Sequence, residues 1–216
     1  MSNEIEMIRM LPQLLSTFGN PIRIIETGMH DGFHTAGIVQ VLRQSGRPFT
    51  YLALEPDPRI NAYIPHGVTF LPKAIGRADG QADFYLSSGV STDGQRYIGS
   101  SSLHAPSELL LRTYPQMRFK HKITVDVVSY DTLCAHHGMD WVDFVWCDTQ
   151  GCEGDLIAGG LKMMPKTKWF FTEYSDGELY LGQSLIEQVK EALPFMEVHT
   201  DWGGDILFKN KSVVLP

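Results

Sequence analysis

Four carboxylates stand where short apolar runs end. Glu26 closes the run 22–25, Glu55 closes 49–54, Asp148 follows 141–147 and Glu173 follows 169–172. Runs of this length and composition, closed by polar or glycine residues, read as buried strands. In a parallel sheet their carboxyl ends would share one rim, the place where open α/β sheets bind ligands. Four acids converging there exceed what packing needs. The plain alternatives remain beside this reading: a surface Glu26 at an ordinary turn, Glu55 with Pro56 and Asp57 starting a short helix, and Asp148 capping the helix that follows.

The first acid opens the stretch ETGMHDGFHT, residues 26–35. Gly28 permits a sharp turn or positive φ, Gly32 permits a close approach to the start of the next helix, and the unpaired N–H groups of that helix form an electropositive floor. The spacing is Glu-x-Gly-x-x-x-Gly, with His30 where a dinucleotide fingerprint carries its second glycine. A carboxylate facing the loop repels a diphosphate and accepts an ammonium. S-adenosylmethionine, with an α-ammonium, a carboxylate and a sulfonium, suits that pattern better than NAD. Glu55 would accept hydrogen bonds from the two ribose hydroxyls, and Ala74 and Ile75, after the third strand, would border an adenine.

The elements needed to position these residues follow in order. Residues 1–19 read as a leading helix interrupted by Pro12, then come a strand, a helix over 33–44 and a second strand, a βαβ unit. A third strand covers 68–71. Residues 77–128 depart from the alternation and are expected to form an inserted hairpin or extra strands with a mobile, glycine-rich loop (87–102) covering the cleft. A short helix over 131–137, the strand 141–147, a helix over 153–158, the strand 169–172, a helix over 184–193 and a final hairpin (195–199 and 205–208) complete a doubly wound α/β domain spanning 1–216.

The 216 residues, 43% of them hydrophobic, suit one full core. A net charge of −7 argues against nonspecific nucleic-acid binding. The opening MSNEIEMIRMLPQLL is not expected to be a secretory signal, no run approaches a membrane span, and a cytoplasmic setting is expected. Cys134, Cys147 and Cys152 form no CxxC pair and no disulfide framework, which by spacing argues against zinc.

With these segments placed, the chain resembles the FkbM-like family of S-adenosylmethionine-dependent methyltransferases over about residues 22–209. ETGMHDGFHT, ALEPDP, KAIG, SSSL, VDVVSYDTL, VDFVWCDTQGCEGDLIAGG, FTEYSD and GGDILF carry the likeness. It departs at His30, Trp146 and Gln150, where relatives usually have Asn, Lys and Glu. The resemblance implies a Rossmann-like class I methyltransferase sheet, mostly parallel with an antiparallel C-terminal hairpin and helices on both faces. It also implies O-methylation of a sugar or natural-product hydroxyl. Glu26, Gly28, His30, Gly32 and Thr35 are then expected at the methionine end of the cofactor, Glu55 and Pro56 at the ribose, and Ala74 and Ile75 at the base. Asp148 is expected at the reacting centre, with His30, His34 or His104 as general base and Ser102, His104, Gln150 and Glu173 toward the acceptor. Asp148 with Glu173 could hold Mg²⁺. Two other readings are a nucleotide-dependent oxidoreductase on the same fold and a non-catalytic cofactor-binding scaffold.

Overall fold

The computed structural model describes residues 2–90, 94 and 96–213. Helix α1 (Asn3–Leu14) tolerates Pro12 near its end and passes into a 3-10 turn, Leu15–Thr17. Strand β1 (Ile22–Thr27), helix α2 (Phe33–Gln44) and strand β2 (Phe49–Leu54) form a parallel unit, with Ile22 opposite Phe49 and Thr27 opposite Leu54. Next come β3 (Val68–Leu71), β4 (Ala74–Gly76), β5 (Gly80–Ser88), α3 (Glu108–Thr113), β6 (Arg118–Ser129), α4 (Tyr130–His136) and β7 (Val142–Cys147). The chain ends with α5 (Glu153–Ala158), β8 (Thr167–Glu173), α6 (Ile186–Ala192), β9 (Met196–Asp201) and β10 (Asp205–Asn210). Seven strands lie in the order β3-β2-β1-β7-β8-β10-β9. β10 runs antiparallel to both neighbours, and the other pairings are parallel. The mostly parallel sheet with an antiparallel C-terminal hairpin is therefore as expected.

Alternation along the strands divides the core between two faces. Ile25, Leu52, Val145 and Phe170 point to one side, where Tyr130, Leu133, Leu156 and Val189 cover them. Ile24, Tyr51, Phe144 and Phe171 point to the other, beneath Met7, Leu11, Ile38 and Leu42 of α1 and α2. Trp146 is buried on this second face, its ring 5.0 Å from His34 and 4.4 Å from Phe171.

The stretch after β3 is more ordered than its composition suggests. β5 and β6 pair antiparallel, and the short β4, not anticipated as a strand, lies parallel to β6, making a separate three-stranded sheet. Helix α3, also unanticipated, is capped by Ser107, whose side chain accepts the N–H of Leu110. Of the glycine-rich loop expected over 87–102, residues 91–93 and 95 lie outside the described residues.

At the rim opposite the carboxyl ends, the fully buried Asp143 of β7 accepts the N–H groups of Gly19 and Arg23, tying down the chain as it enters β1. Asp143→Ala is expected to lower the unfolding free energy by about 2–5 kcal/mol, because two donors lose their partner in a site closed to water. Urea denaturation checks this; a loss below about 1 kcal/mol would show that solvent reaches those donors.

Candidate active site

The ends of β1, β2 and β7 are stitched together by backbone hydrogen bonds. Gly28 and Met29 both donate to the Leu54 carbonyl, at 3.0 and 2.9 Å, and Asp148 donates to Thr27 at 3.0 Å. Glycine is required at two points of this junction. Gly28 has φ +81, and a Cβ there would lie 1.7 Å from the Asp148 carbonyl oxygen. Gly32 has φ +84, and its Cβ would lie 2.1 Å from the Tyr63 carbonyl oxygen. The close approach at the start of α2 is thus made by the chain itself rather than by a ligand. The N–H floor expected there is partly occupied, since Phe33 N–H donates to Asp31 Oδ1 at 3.0 Å.

A cavity of about 190 Å³ opens at these strand ends. Gly28 and His30 contribute from the β1–α2 connection, His34 from the first turn of α2, Glu55 and Pro56 from the end of β2, Ala74 and Ile75 from β4, and Phe84 from β5. Ile98, Gly99, Ser101 and Leu103 close one side, and Asp148 and Gln150 another. Arg59 anchors the closing segment: it pairs with Asp57 and donates to the Ser87 carbonyl at 2.9 Å, while Ser101 Oγ donates to Asp57 Oδ2 at 3.1 Å.

Glu55 is buried, and its two oxygens accept the N–H groups of His30 and Asp57, at 3.0 and 2.8 Å. Burial raises its pKa to about 7 despite those two bonds. His30 has φ +48, and its enclosed Nε2 finds no hydrogen-bond partner. A Cβ on Gly99 would lie 3.3 Å from that nitrogen, so the glycine leaves room for the imidazole. Gln150, at φ +55, extends its amide between two acids: Nε2 donates to Asp148 Oδ1 and to Glu173 Oε2, each at 2.8 Å. Its Oε1 accepts Tyr180 O–H at 3.0 Å. A neutral amide gives one hydrogen to each carboxylate, and its NH₂ fills the position between them where the pair could have held Mg²⁺.

Of the residues singled out in the sequence, Gly28, His30, His34, Glu55, Pro56, Ala74, Ile75, Asp148 and Gln150 line this cavity. Six others do not. Glu26 lies on the α2 side of the sheet, where Oε2 accepts Thr35 Oγ1–H at 2.6 Å and Tyr51 O–H at 2.8 Å. Burial raises its pKa to about 7. Glu26 and Thr35 therefore fasten α2 to the strands rather than presenting a free carboxylate to a ligand, and Gly32 packs under Tyr63. Ser102 is fully buried, with Oγ donating to the Gln150 carbonyl at 2.7 Å and accepting His104 N–H at 3.0 Å; its neighbour Ser101 is the one at the wall. His104 is engaged at both nitrogens, with the Leu181 carbonyl and with Asp155. Glu173 opens instead on a smaller hollow of about 40 Å³ behind Gln150, shared with Tyr174, Tyr180 and Gln183. Sequence reasoning missed Phe84, Ile98 and Leu103. Phe84 could have been found from the alternation of β5, whereas the other two sit in an irregular segment with no period to read.

A parallel sheet whose one reversed strand is β10, with a cavity at the β1–β2–β7 ends, defines a Rossmann-like α/β protein of the methyltransferase type. The chain belongs to the FkbM methyltransferase family: the model of the methyltransferase FkbM domain matches residues 26–203. It is similar to the 2-O-methyltransferase NoeI of Sinorhizobium fredii, 32% identical over 209 residues that cover 92% of this chain and 84% of that protein. Among solved structures it is similar to an uncharacterized ACR superfamily protein from Burkholderia thailandensis, at a TM-score of 0.42 and 10% identity, covering 98% of this chain and 80% of the other, a likeness too distant to argue from. Family and relative together make this an enzyme that transfers methyl groups. Among the described residues no helix is long and apolar enough to cross a membrane.

Proposed function

We propose that the cavity binds S-adenosylmethionine and that the protein methylates a hydroxyl oxygen of a sugar or a polyhydroxylated natural product. One observation carries the cofactor reading. The cavity wall bears Asp31, Glu55, Asp57 and Asp148 against a single lysine, Lys73. Even with Asp57 paired to Arg59, that balance suits a cationic sulfonium and disfavours the diphosphate of NAD. The donor set agrees with the parts of the molecule: Glu55 for ribose hydroxyls, Ala74, Ile75 and Phe84 for a flat apolar base, and Asp148 for the ammonium or the acceptor. The relative's printed activity, 2-O-methylation, supports oxygen as the acceptor atom.

The bound cofactor supplies a methyl group on a leaving group that is already activated. The protein's part is alignment and proton removal. Asp148, oriented by Gln150, fixes the acceptor hydroxyl, and the unpartnered Nε2 of His30 receives its proton. Side by side, calorimetric titrations are expected to show S-adenosylmethionine binding and no NADH binding. Incubation with a panel of free sugars and glycosides is expected to release S-adenosylhomocysteine. NADH binding without S-adenosylmethionine binding would overturn the cofactor reading, and methylation confined to nitrogen or sulfur acceptors would overturn the oxygen reading.

A further inference from the structure

His104, Cys152 and Asp155 bring an imidazole, a thiol and a carboxylate to one point, with ligating atoms all within 4.8 Å of one another. We propose that they form a binding site for a thiophilic divalent cation of the zinc type. Each ligand is oriented from behind, as metal ligands are. His104 Nδ1 meets the Leu181 carbonyl at 2.9 Å; a carbonyl only accepts, so Nδ1 carries the hydrogen and Nε2 is the nitrogen left for a cation. Arg77 holds Asp155 Oδ1, at 3.2 Å from Nε and 3.0 Å from Nη2, which leaves Oδ2 toward His104. Cys152 is buried with its Sγ 3.9 Å from Ser102 Oγ.

The donor set selects the ion. One sulfur, one nitrogen and one oxygen suit zinc or cobalt and do not suit Mg²⁺ or Ca²⁺, which take oxygen. With no cation bound, His104 Nε2–H donates to Asp155 Oδ2 at 2.8 Å, so with Nδ1–H on the Leu181 carbonyl both ring nitrogens carry hydrogen. Cation uptake then displaces two protons, one from imidazolium Nε2 and one from the Cys152 thiol, while Asp155 brings the charge it already has. The side chains of His104 and Asp155 are 21% and 18% exposed, so the cation enters from their solvent side and a water completes the tetrahedron there. A nucleophilic Cys–His pair is the competing use of these groups. The two differ in outcome, since a nucleophilic pair alone gives no thiolate-to-cobalt charge-transfer band.

The site ties three segments together: the loop ahead of α3 through His104, the start of α5 through Cys152 and Asp155, and the chain ahead of α6 through Leu181. Cys152 and Leu103 line the cavity, so an ion here stiffens one of its walls.

The test uses the full chain, stripped with a chelator and titrated with Co²⁺. One equivalent is expected to bind, with a thiolate-to-cobalt charge-transfer band that Zn²⁺ abolishes by displacement and Mg²⁺ does not. Cys152→Ser is expected to lose the band, whereas Cys134→Ser and Cys147→Ser keep it. His104→Gln, which retains every thiol, is expected to bind Co²⁺ at least tenfold more weakly and to lose the rise in melting temperature that Zn²⁺ gives the wild type. No Co²⁺ uptake by the wild type, uptake without the band, a band surviving in Cys152→Ser, or unchanged affinity in His104→Gln would each overturn the proposal. The last comparison stands even if Cys152→Ser fails to fold.

Discussion

Glu55→Ala is expected to weaken S-adenosylmethionine binding roughly a hundred- to ten-thousand-fold. The carboxylate is already fixed by the N–H groups of His30 and Asp57 and faces the cavity, so it is preorganised to accept two ribose hydroxyls. Hydrogen bonds to a charged group contribute about 1.5–3 kcal/mol each, so losing two costs about 3–6 kcal/mol. Alanine also strips two backbone donors of their partner and loosens the loop that carries His30. Calorimetry with S-adenosylmethionine and with S-adenosylhomocysteine separates the causes. Both share the ribose and only the first carries the sulfonium charge. Equal losses support ribose binding, a loss confined to the sulfonium compound would reassign Glu55 to charge recognition, and undiminished binding of both would end the assignment. Because burial raises the Glu55 pKa to about 7, affinity is also expected to fall as pH drops from 8 to 6 and the acceptor is protonated.

The strands of the sheet were legible because their period is short and their ends are marked. Apolar runs such as 49–54 and 68–71 end where the structure ends them, and the acids after 49–54 and 141–147 marked the ligand rim. The structure sets Glu55 and Asp148 at the cavity wall and Glu26 away from it. A strand end fixes which rim a residue occupies, whereas the pleat decides which face its side chain takes. Glu26 falls in step with Ile24 and Tyr51, on the α2 face. Ser102 failed by one position for a related reason: the serine run has no period, so nothing in it distinguishes the wall residue Ser101 from its buried neighbour. The grouping of His104 with Cys152 and Asp155 lay beyond the sequence altogether. Spacing along the chain argued against zinc, but these side chains converge where the loop ahead of α3 packs on the start of α5, which cysteine spacing does not register. Gln150 is the converse case. It stood out in the sequence as a departure from the resembled family's usual pattern, and its geometry accounts for an amide, since a glutamate there would set a third carboxylate against Asp148 and Glu173 where an amide satisfies both.

The position of Glu26 leads to the second large expected effect. Glu26→Gln is expected to be more stable than the wild type by about 3 kcal/mol at pH 8 and equal to it near pH 4. The folded-state pKa, raised by burial from 4.5 to about 7, lies above that of the unfolded chain. Below 4.5 both states hold the proton, so the carboxyl costs nothing. Between 4.5 and about 7 the unfolded state has released the proton while the folded state keeps it, and stability falls as pH rises. Above that window the full shift, some 2.5 units at 1.36 kcal/mol each, is charged against folding, giving about 3 kcal/mol. Glutamine stays neutral at every pH, and its carbonyl still accepts the hydroxyls of Thr35 and Tyr51, which donate to the same Glu26 oxygen. Urea unfolding of both proteins across pH 4 to 8 measures the difference, in which the other buried acids cancel. A gap that does not grow with pH would mean that Glu26 is ionised in the folded protein. Lost S-adenosylmethionine affinity with no gain in stability would return it to the role of ammonium partner that its place in the sequence first suggested.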